Sequence, residues 1–162
     1  MFFLLLVGLL VAAAVHIGHL EPRTRERAGE VLLLWVLIGY CGLPMVGVSA
    51  LTLLRPGSVA SMLGFPEGNP FQTFLAWAYL GMSIAATLAL RYRDSYLIGP
   101  AIVWSVFFAG GTFIHLGEAQ GGGLGHVHAL VIFGSHGLVT AVLVGGLAAS
   151  GLLATRGSRP AP

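Results

Sequence analysis

Residues Val31–Leu54 read VLLLWVLIGYCGLPMVGVSALTLL, a continuous apolar segment without a charged side chain. Crossing the hydrocarbon core of a bilayer, about 30 Å thick, takes about 20 helical residues. Four further uncharged segments are long enough: Met1–Leu20, Phe71–Leu90, Tyr96–Leu116 and Val127–Thr155. Because lipid offers the backbone no hydrogen-bond partner, each segment is expected to be a helix. We therefore predict an all-α membrane bundle: one domain of five transmembrane helices over residues 1–155, then a short cytoplasmic tail over 156–162.

The composition agrees with a lipid environment. Only 9% of the residues are charged and 56% are hydrophobic, whereas soluble domains carry about 25% charged residues. The chain contains no lysine and therefore no phosphate-binding Gly-x-x-x-x-Gly-Lys motif, and it has no basic face for nucleic acid. Nucleotide and nucleic-acid partners are therefore excluded, and membrane lipids are the expected surroundings.

The arginines predict the orientation of the bundle. Seven of them fall in connections that share one side of the membrane, namely Arg23, Arg25, Arg27, Arg91, Arg93, Arg156 and Arg159. Arg55 alone falls on the other side. Cytoplasmic connections carry the excess of positive charge, so we expect the N-terminus outside and the C-terminus in the cytoplasm. The predicted location is the bacterial cytoplasmic (inner) membrane.

The sequence also predicts a short helix between two spans, a kink inside span two and one loop. In the connection over residues 55–70, Ser58 can cap a short helix that lies on the outer membrane surface between spans two and three. Gly42-Leu43-Pro44 lies inside span two, where proline removes a backbone donor and favours a kink. The Gly-rich connection over residues 118–126 is expected to be a loop.

Small residues recur at close to every fourth position in the last three spans, which lets helix backbones approach each other. We expect these stripes to pack inside the molecule, with oligomerisation as the other interpretation. The stripes are Gly81, Ala85 and Ala89; Ala101, Ser105, Ala109 and Thr112; and Gly137, Ala141, Gly145 and Ala149.

Histidine is the only residue type that offers chemistry within the spans, because no acid or arginine lies deep in any of them. Imidazole is the commonest metal ligand, and several imidazoles beside a carboxylate suit copper, zinc or iron. The predicted exterior-side metal ligands are His115, His126, His128, His136 and Glu118. His115 and His136 are also candidate cofactor ligands, including axial ligands of a haem. The alternative interpretation is structural: His136 forms a hydrogen bond with a neighbouring helix and binds no ligand.

Two further histidines, His16 and His19, lie three residues apart near the cytoplasmic end of span one. They are interpreted as interfacial side chains, with metal or macrocycle ligation as the other interpretation.

Two short segments carry a resemblance to a known family. Gly64-Phe-Pro-Glu-Gly-Asn-Pro-Phe-Gln72 enters span three, and Gly111-Thr-Phe-Ile-His115 ends span four. Both resemble markers of a bacterial family of small multi-pass membrane proteins of unknown function. The resemblance covers roughly residues 50–116. It implies the multi-span architecture and directs attention to Gln72 and His115.

Three functions are compatible with these features. The first is a non-catalytic accessory subunit of a larger electron-transfer, oxygenase or pigment complex, with other membrane subunits as partners. The second is a metal- or haem-binding membrane protein that uses the exterior histidines. The third is a small-solute channel or carrier built around Gly42-Leu43-Pro44, because broken helices mark transport sites. Ser135 and His136 are adjacent on a helix and point to different sides, so no catalytic residue is predicted.

Overall fold

The computed structural model describes residues 2–63, 69–121 and 126–154, with the side chains of residues 61–63, 117–121 and 126–130 left out of that description. The fold is all-α, as predicted. The α-helices are α1 (Phe2–Gly18), α2 (Arg25–Val36), α3 (Leu43–Leu54), α4 (Pro56–Leu63), α5 (Pro70–Thr87), α6 (Ile98–Gly121) and α7 (His126–Ser150). A π-helical segment, Leu37–Gly42, joins α2 to α3, and 3₁₀ turns occupy Leu88–Leu90 and Asp94–Leu97.

Among the described residues, four helical stretches are long and apolar enough to cross a membrane. They are Arg25–Leu54, Pro70–Leu90, Asp94–Leu116 and Val131–Ser150. Their mean hydropathies of 1.6 to 2.2 are typical of an integral membrane protein. These four coincide with predicted spans two to five. The first predicted span corresponds to α1, an apolar helix of 17 residues, which is shorter than the other four.

The predicted interruption of span two takes the form of a π-helical segment. Pro44 lies in the first turn of α3, where its missing N–H costs no helical hydrogen bond. The wider turn over Leu37–Gly42 absorbs the mismatch with the preceding helix. A Cβ on Gly42 would lie 2.7 Å from Oγ1 of Thr87, so only glycine lets α5 approach this segment so closely.

The helices pack around a core of aliphatic and aromatic side chains. Its largest fully buried members are Trp104, Tyr40, Leu6, Leu33, Leu37, Leu97 and Leu143. A close crossing joins α2 to α7, where a Cβ on Gly29 would lie 2.5 Å from the backbone nitrogen of Ser150. Gly146 faces Leu33 at the same crossing, and the leucine Cγ would lie 2.9 Å from an added Cβ. These two glycines therefore set the distance between the two helices.

The prediction that the small-residue stripes pack inside the molecule is right for α6 and wrong for most of α7, where only Ala149 of the stripe lies against α2. Ala101 and Ser105 on α6 are buried. Gly137 and Gly145 on α7 have open space where a Cβ would be, and Ala141 is exposed. The inward face of α7 is shifted by one residue from the stripe, because Gly146 makes the contact with α2.

The stripe of span three packs inside the molecule only in part. Gly81 has open space around it, Ala85 is half-buried and Ala89 is fully buried. The stripe of span three therefore contributes to internal packing mainly at its C-terminal end.

The short helix between spans two and three is present as α4, which begins at Pro56, two residues before the expected cap. Its Val59 and Ala60 are buried. The next helix starts where Oδ1 of Asn69 accepts a hydrogen bond from the backbone N–H of Phe71, at 2.9 Å. The Gln72 amide donates to the carbonyl of Pro56, at 3.1 Å. Gln72 thus joins the starts of α4 and α5.

Two predicted boundaries are wrong. Helix α6 continues to Gly121, so residues 118–121 of the expected loop are helical. Helix α7 ends at Ser150 rather than Thr155, because Gly151 adopts a φ of 67°, a left-handed conformation that terminates helices. The predicted tail over residues 156–162 lies outside the described residues.

Candidate functional site

Helices α6 and α7 bring two predicted ligands together. His115 on α6 and His136 on α7 have ring centroids 5.3 Å apart and ring planes inclined at 48°. They belong to consecutive helices that form a hairpin, which is why residues 21 positions apart in sequence can share one site. The structure therefore brings together the two histidines that the sequence offers as candidate cofactor ligands.

A glycine makes room for the His136 ring. A Cβ on Gly111 would lie 2.7 Å from Nδ1 and 3.1 Å from Cε1 of His136. Distances this short are not tolerated between non-bonded atoms, so the ring occupies the space that a side chain at position 111 would fill. Gly111 and His115 are four residues apart, which places both on one face of α6.

The imidazole of His136 has an unsatisfied polar atom. Nδ1 of His136 is buried and is the one buried side-chain nitrogen or oxygen in the described part of the chain that lacks a hydrogen-bond partner. The backbone of Gly111 lies beside this nitrogen. A buried polar group without a partner costs free energy, so its presence in an apolar bundle calls for an explanation.

The hydroxyl groups of the spans provide the contrast. Each of nine hydroxyl side chains donates to a backbone carbonyl three or four residues earlier in its own helix, at 2.7 to 2.9 Å. These residues are Ser49, Thr52, Ser83, Thr87, Ser105, Thr112, Ser135, Thr140 and Ser150. Small polar side chains in this bundle are therefore satisfied locally, and His136 departs from that rule.

An aromatic wall borders the histidine pair. The ring of Phe108 lies 5.1 Å from that of His136, and Trp104 stacks on Phe108 at 5.3 Å. Tyr40 of the π-helical segment contacts Phe108 at 5.8 Å, and Ser135 interacts with the Tyr40 phenol. Trp104, Phe108 and Gly111 precede His115 at intervals of three or four residues, so they share one face of α6. Tyr40 was missed, because nothing in span two relates its register to that of α6.

The other predicted ligands lie near the same end of the helix pair. Glu118 follows His115 by three residues on α6, and His126 and His128 lie in the first turn of α7. Their side chains fall outside the described part of the structure. Among the described side chains, no group of three or more His, Cys, Asp or Glu residues could hold a metal. The full ligand set therefore stays a prediction, and the structure brings together two of its members.

The remaining histidines belong to a different environment. The indole Nε1–H of Trp35 donates to Nδ1 of His16 at 3.2 Å, and the two rings meet edge to face at 6.4 Å. His16 and His19 are exposed. The hydrogen bond links α1 to α2 next to the connection where Arg23 donates to the carbonyl of Gly18 and Arg27 to that of Glu21. His16 therefore serves the packing of two helices.

The model of a family of unknown function, DUF6790, matches residues 1–148. Since the match covers more than half of the chain, the chain belongs to this family. No curated protein and no solved structure matches the chain. The family description assigns no activity, so a function has to be inferred from the geometry of the site.

Proposed function

We propose that this member of the DUF6790 family is a membrane protein that binds a single transition-metal ion between α6 and α7, with His115 and His136 as ligands. The observation that carries the proposal is the close pair of imidazoles, one of which keeps a buried nitrogen without a partner. Copper, zinc and iron are the ions that suit imidazole ligands.

The separation of the two rings fits a shared ion. A nitrogen–metal bond of about 2.0 Å places each imidazole centroid roughly 3.2 Å from the ion, so two ligands at a tetrahedral angle keep their centroids about 5 Å apart. The observed separation is 5.3 Å. A haem held by both histidines would need them on opposite faces of the porphyrin, with a wider separation. The geometry thus favours a small ion over haem.

The unsatisfied nitrogen fits the same role. A metal-bound histidine usually donates its other ring N–H to a carboxylate, a backbone carbonyl or water, which fixes the tautomer. Nδ1 of His136 lies beside the backbone of Gly111. A small rotation of the ring would let Nδ1–H donate to the backbone carbonyl of Gly111. Nε2 would then be available for the ion. Glu118, His126 and His128 are the proposed further ligands.

The proposal also covers the number of membrane spans and their orientation. We propose five spans in a bacterial cytoplasmic membrane, with the N-terminus outside and the metal near the exterior side. Helix α1 is about 26 Å long at 1.5 Å per residue, close to the thickness of the hydrocarbon core. Its Leu6 and Ala13 are fully buried, which supports its place in the bundle. Reporter fusions in the connections at residues 19–24 and 91–94 should both report a cytoplasmic location.

Metal analysis tests the proposal. Protein purified after expression with copper, zinc or iron supplementation should retain about one equivalent of one of these ions after desalting. His115→Ala and His136→Ala should each lose it, while the matched variant His16→Ala should retain it. Equal, near-zero metal content in the parent and all three variants would refute the proposal, as would loss of metal in His16→Ala alone.

A second candidate function is that of a non-catalytic accessory subunit in a larger membrane complex. The outward face of α7 supports it, because Gly137, Ala141 and Gly145 leave a surface on which another helix could approach closely. Gly145→Leu should then release a partner that co-purifies from native membranes, whereas Gly47→Leu, a glycine on α3 with equal open space, should not. A parent protein that purifies without partners would exclude this candidate.

A further inference from the structure

An apolar groove of about 410 Å³ runs between α5 and α6 on the outside of the bundle. Gly81 and Ala85 line it from α5, and Gly99 and Val103 line it from α6, with Tyr96 and Trp104 also in the lining. Neither glycine has a heavy atom within 4 Å of its Cβ position. The groove therefore exists because a residue without a side chain lines it from each of the two helices.

Two hydrogen bonds join the aromatic residues of the groove to α5. The indole N–H of Trp104 donates to the carbonyl of Met82 at 3.3 Å, and the phenol of Tyr96 donates to the carbonyl of Ala85 at 2.7 Å. The Trp104 ring also stacks on Tyr79, with a centroid distance of 6.3 Å and an interplanar angle of 2°. The polar atoms of both lining aromatic residues are thus satisfied within the protein. What faces outward is apolar surface.

Positive charge lies at one end of the groove. Tyr96 of the lining packs against Tyr92 at 5.4 Å, and the guanidinium of Arg91 lies 5.9 Å above the Tyr92 ring. Arg93 follows in the same connection and is exposed, as is Asp94, the single acid there. The connection therefore carries a net positive charge where it meets the groove.

We propose that this groove is a binding site for an anionic phospholipid. One acyl chain lies in the groove over Gly81 and Gly99, and the phosphate lies between the guanidinium groups of Arg91 and Arg93. An apolar slot that ends in cationic side chains at a membrane–water boundary complements a lipid tail joined to a negative headgroup. The tyrosines at positions 92 and 96 suit the boundary between these two parts of the lipid. The site is independent of the proposed metal.

Native mass spectrometry can test this site. Detergent-solubilised protein is titrated with phosphatidylglycerol and, separately, with phosphatidylcholine of the same acyl chains, and bound lipid is counted. The parent should bind phosphatidylglycerol more tightly. Arg91→Gln and Arg93→Gln should each weaken phosphatidylglycerol binding about five-fold and leave phosphatidylcholine unchanged. Gly99→Leu, which fills the groove, should weaken both lipids.

Two variants serve as matched controls. Arg25→Gln removes the same charge from the start of α2, and Gly47→Leu adds the same side chain on α3, where the glycine also has open space. Both should bind lipid as the parent does. Equal affinity for the two lipids in the parent, or an effect of Gly47→Leu as large as that of Gly99→Leu, would overturn the site. His136→Ala should leave lipid binding intact, which separates this proposal from the metal site.

Discussion

The two histidine environments of this bundle differ in whether the protein itself satisfies the imidazole. His16, on α1, is exposed, and its Nδ1 accepts a hydrogen bond from Trp35 at 3.2 Å. His136, on α7, is half-buried, and its Nδ1 has no partner among the described residues although it is shielded from solvent. The exposed ring has a partner, and the shielded nitrogen lacks one.

This difference separates a structural histidine from a candidate ligand. A hydrogen bond from an indole explains His16 fully as a link between α1 and α2. His136 instead lies 5.3 Å from a second imidazole, in a space that Gly111 keeps open. Carrying an unsatisfied polar group in an apolar bundle costs about 1–3 kcal/mol. The ring rotation that presents Nε2 to the ion would recover that cost, because it pairs Nδ1–H with the backbone of Gly111.

The largest expected effect comes from removing a ligand. His136→Ala should weaken metal binding at least about 100-fold, since loss of a mere supporting partner already costs 10–100-fold. Isothermal titration of the metal-depleted protein with copper or zinc measures the affinity. His16→Ala removes the same side chain from the other environment and should leave the affinity unchanged. Equal losses in the two variants would show that the two environments do not differ.

A smaller effect on metal affinity is expected from filling the space beside the His136 ring. Gly111→Ala places a Cβ 2.7 Å from Nδ1 of His136, so the ring has to move while both ligands remain. We expect the metal affinity to fall about 10–100-fold, as for other disturbances outside the coordinating atoms. Gly110→Ala is the control, because its Cβ would meet open space on the same helix. An unchanged affinity in Gly111→Ala would mean that the position of the His136 ring is irrelevant to binding.

The smallest effect concerns the hydrogen bond between Trp35 and His16. Trp35→Phe removes the hydrogen bond to His16 and should lower the free energy of unfolding by about 1 kcal/mol, with no change in metal affinity. A double-mutant cycle with His16→Ala, followed by unfolding in sodium dodecyl sulfate, isolates the coupling between the two side chains. Zero coupling would mean that the bond contributes nothing to the packing of α1 on α2.

The sequence predicts the four long apolar helices well because charge and length alone identify them. The uncharged segment Val31–Leu54 corresponds to the second half of α2, the π-helical turn and α3, and even the interruption near Pro44 follows from local chemistry. The end of α7 was placed too late because Gly145, Gly146 and Gly151 look alike in sequence. Only Gly151 adopts the left-handed conformation that ends the helix.

The site was predictable in part. Residues four apart on one helix share a face, so the sequence alone associates Gly111 with His115, and the short connection between spans four and five brings His136 near them. Tyr40 could not be placed, because the π-helical turn changes the register of span two. The outward face of α7 was also unpredictable, since a shift of one residue decides which small residues meet α2.

Pulsed electron paramagnetic resonance of the copper-loaded protein tests the central claim most directly, because it counts the imidazole rings bound to Cu²⁺ through their remote nitrogens. The parent should show at least two bound imidazoles, and His115→Ala and His136→Ala should each show one fewer, while His16→Ala matches the parent. A copper spectrum that is identical in the parent and in both α6 and α7 variants would contradict the claim that this histidine pair holds the metal.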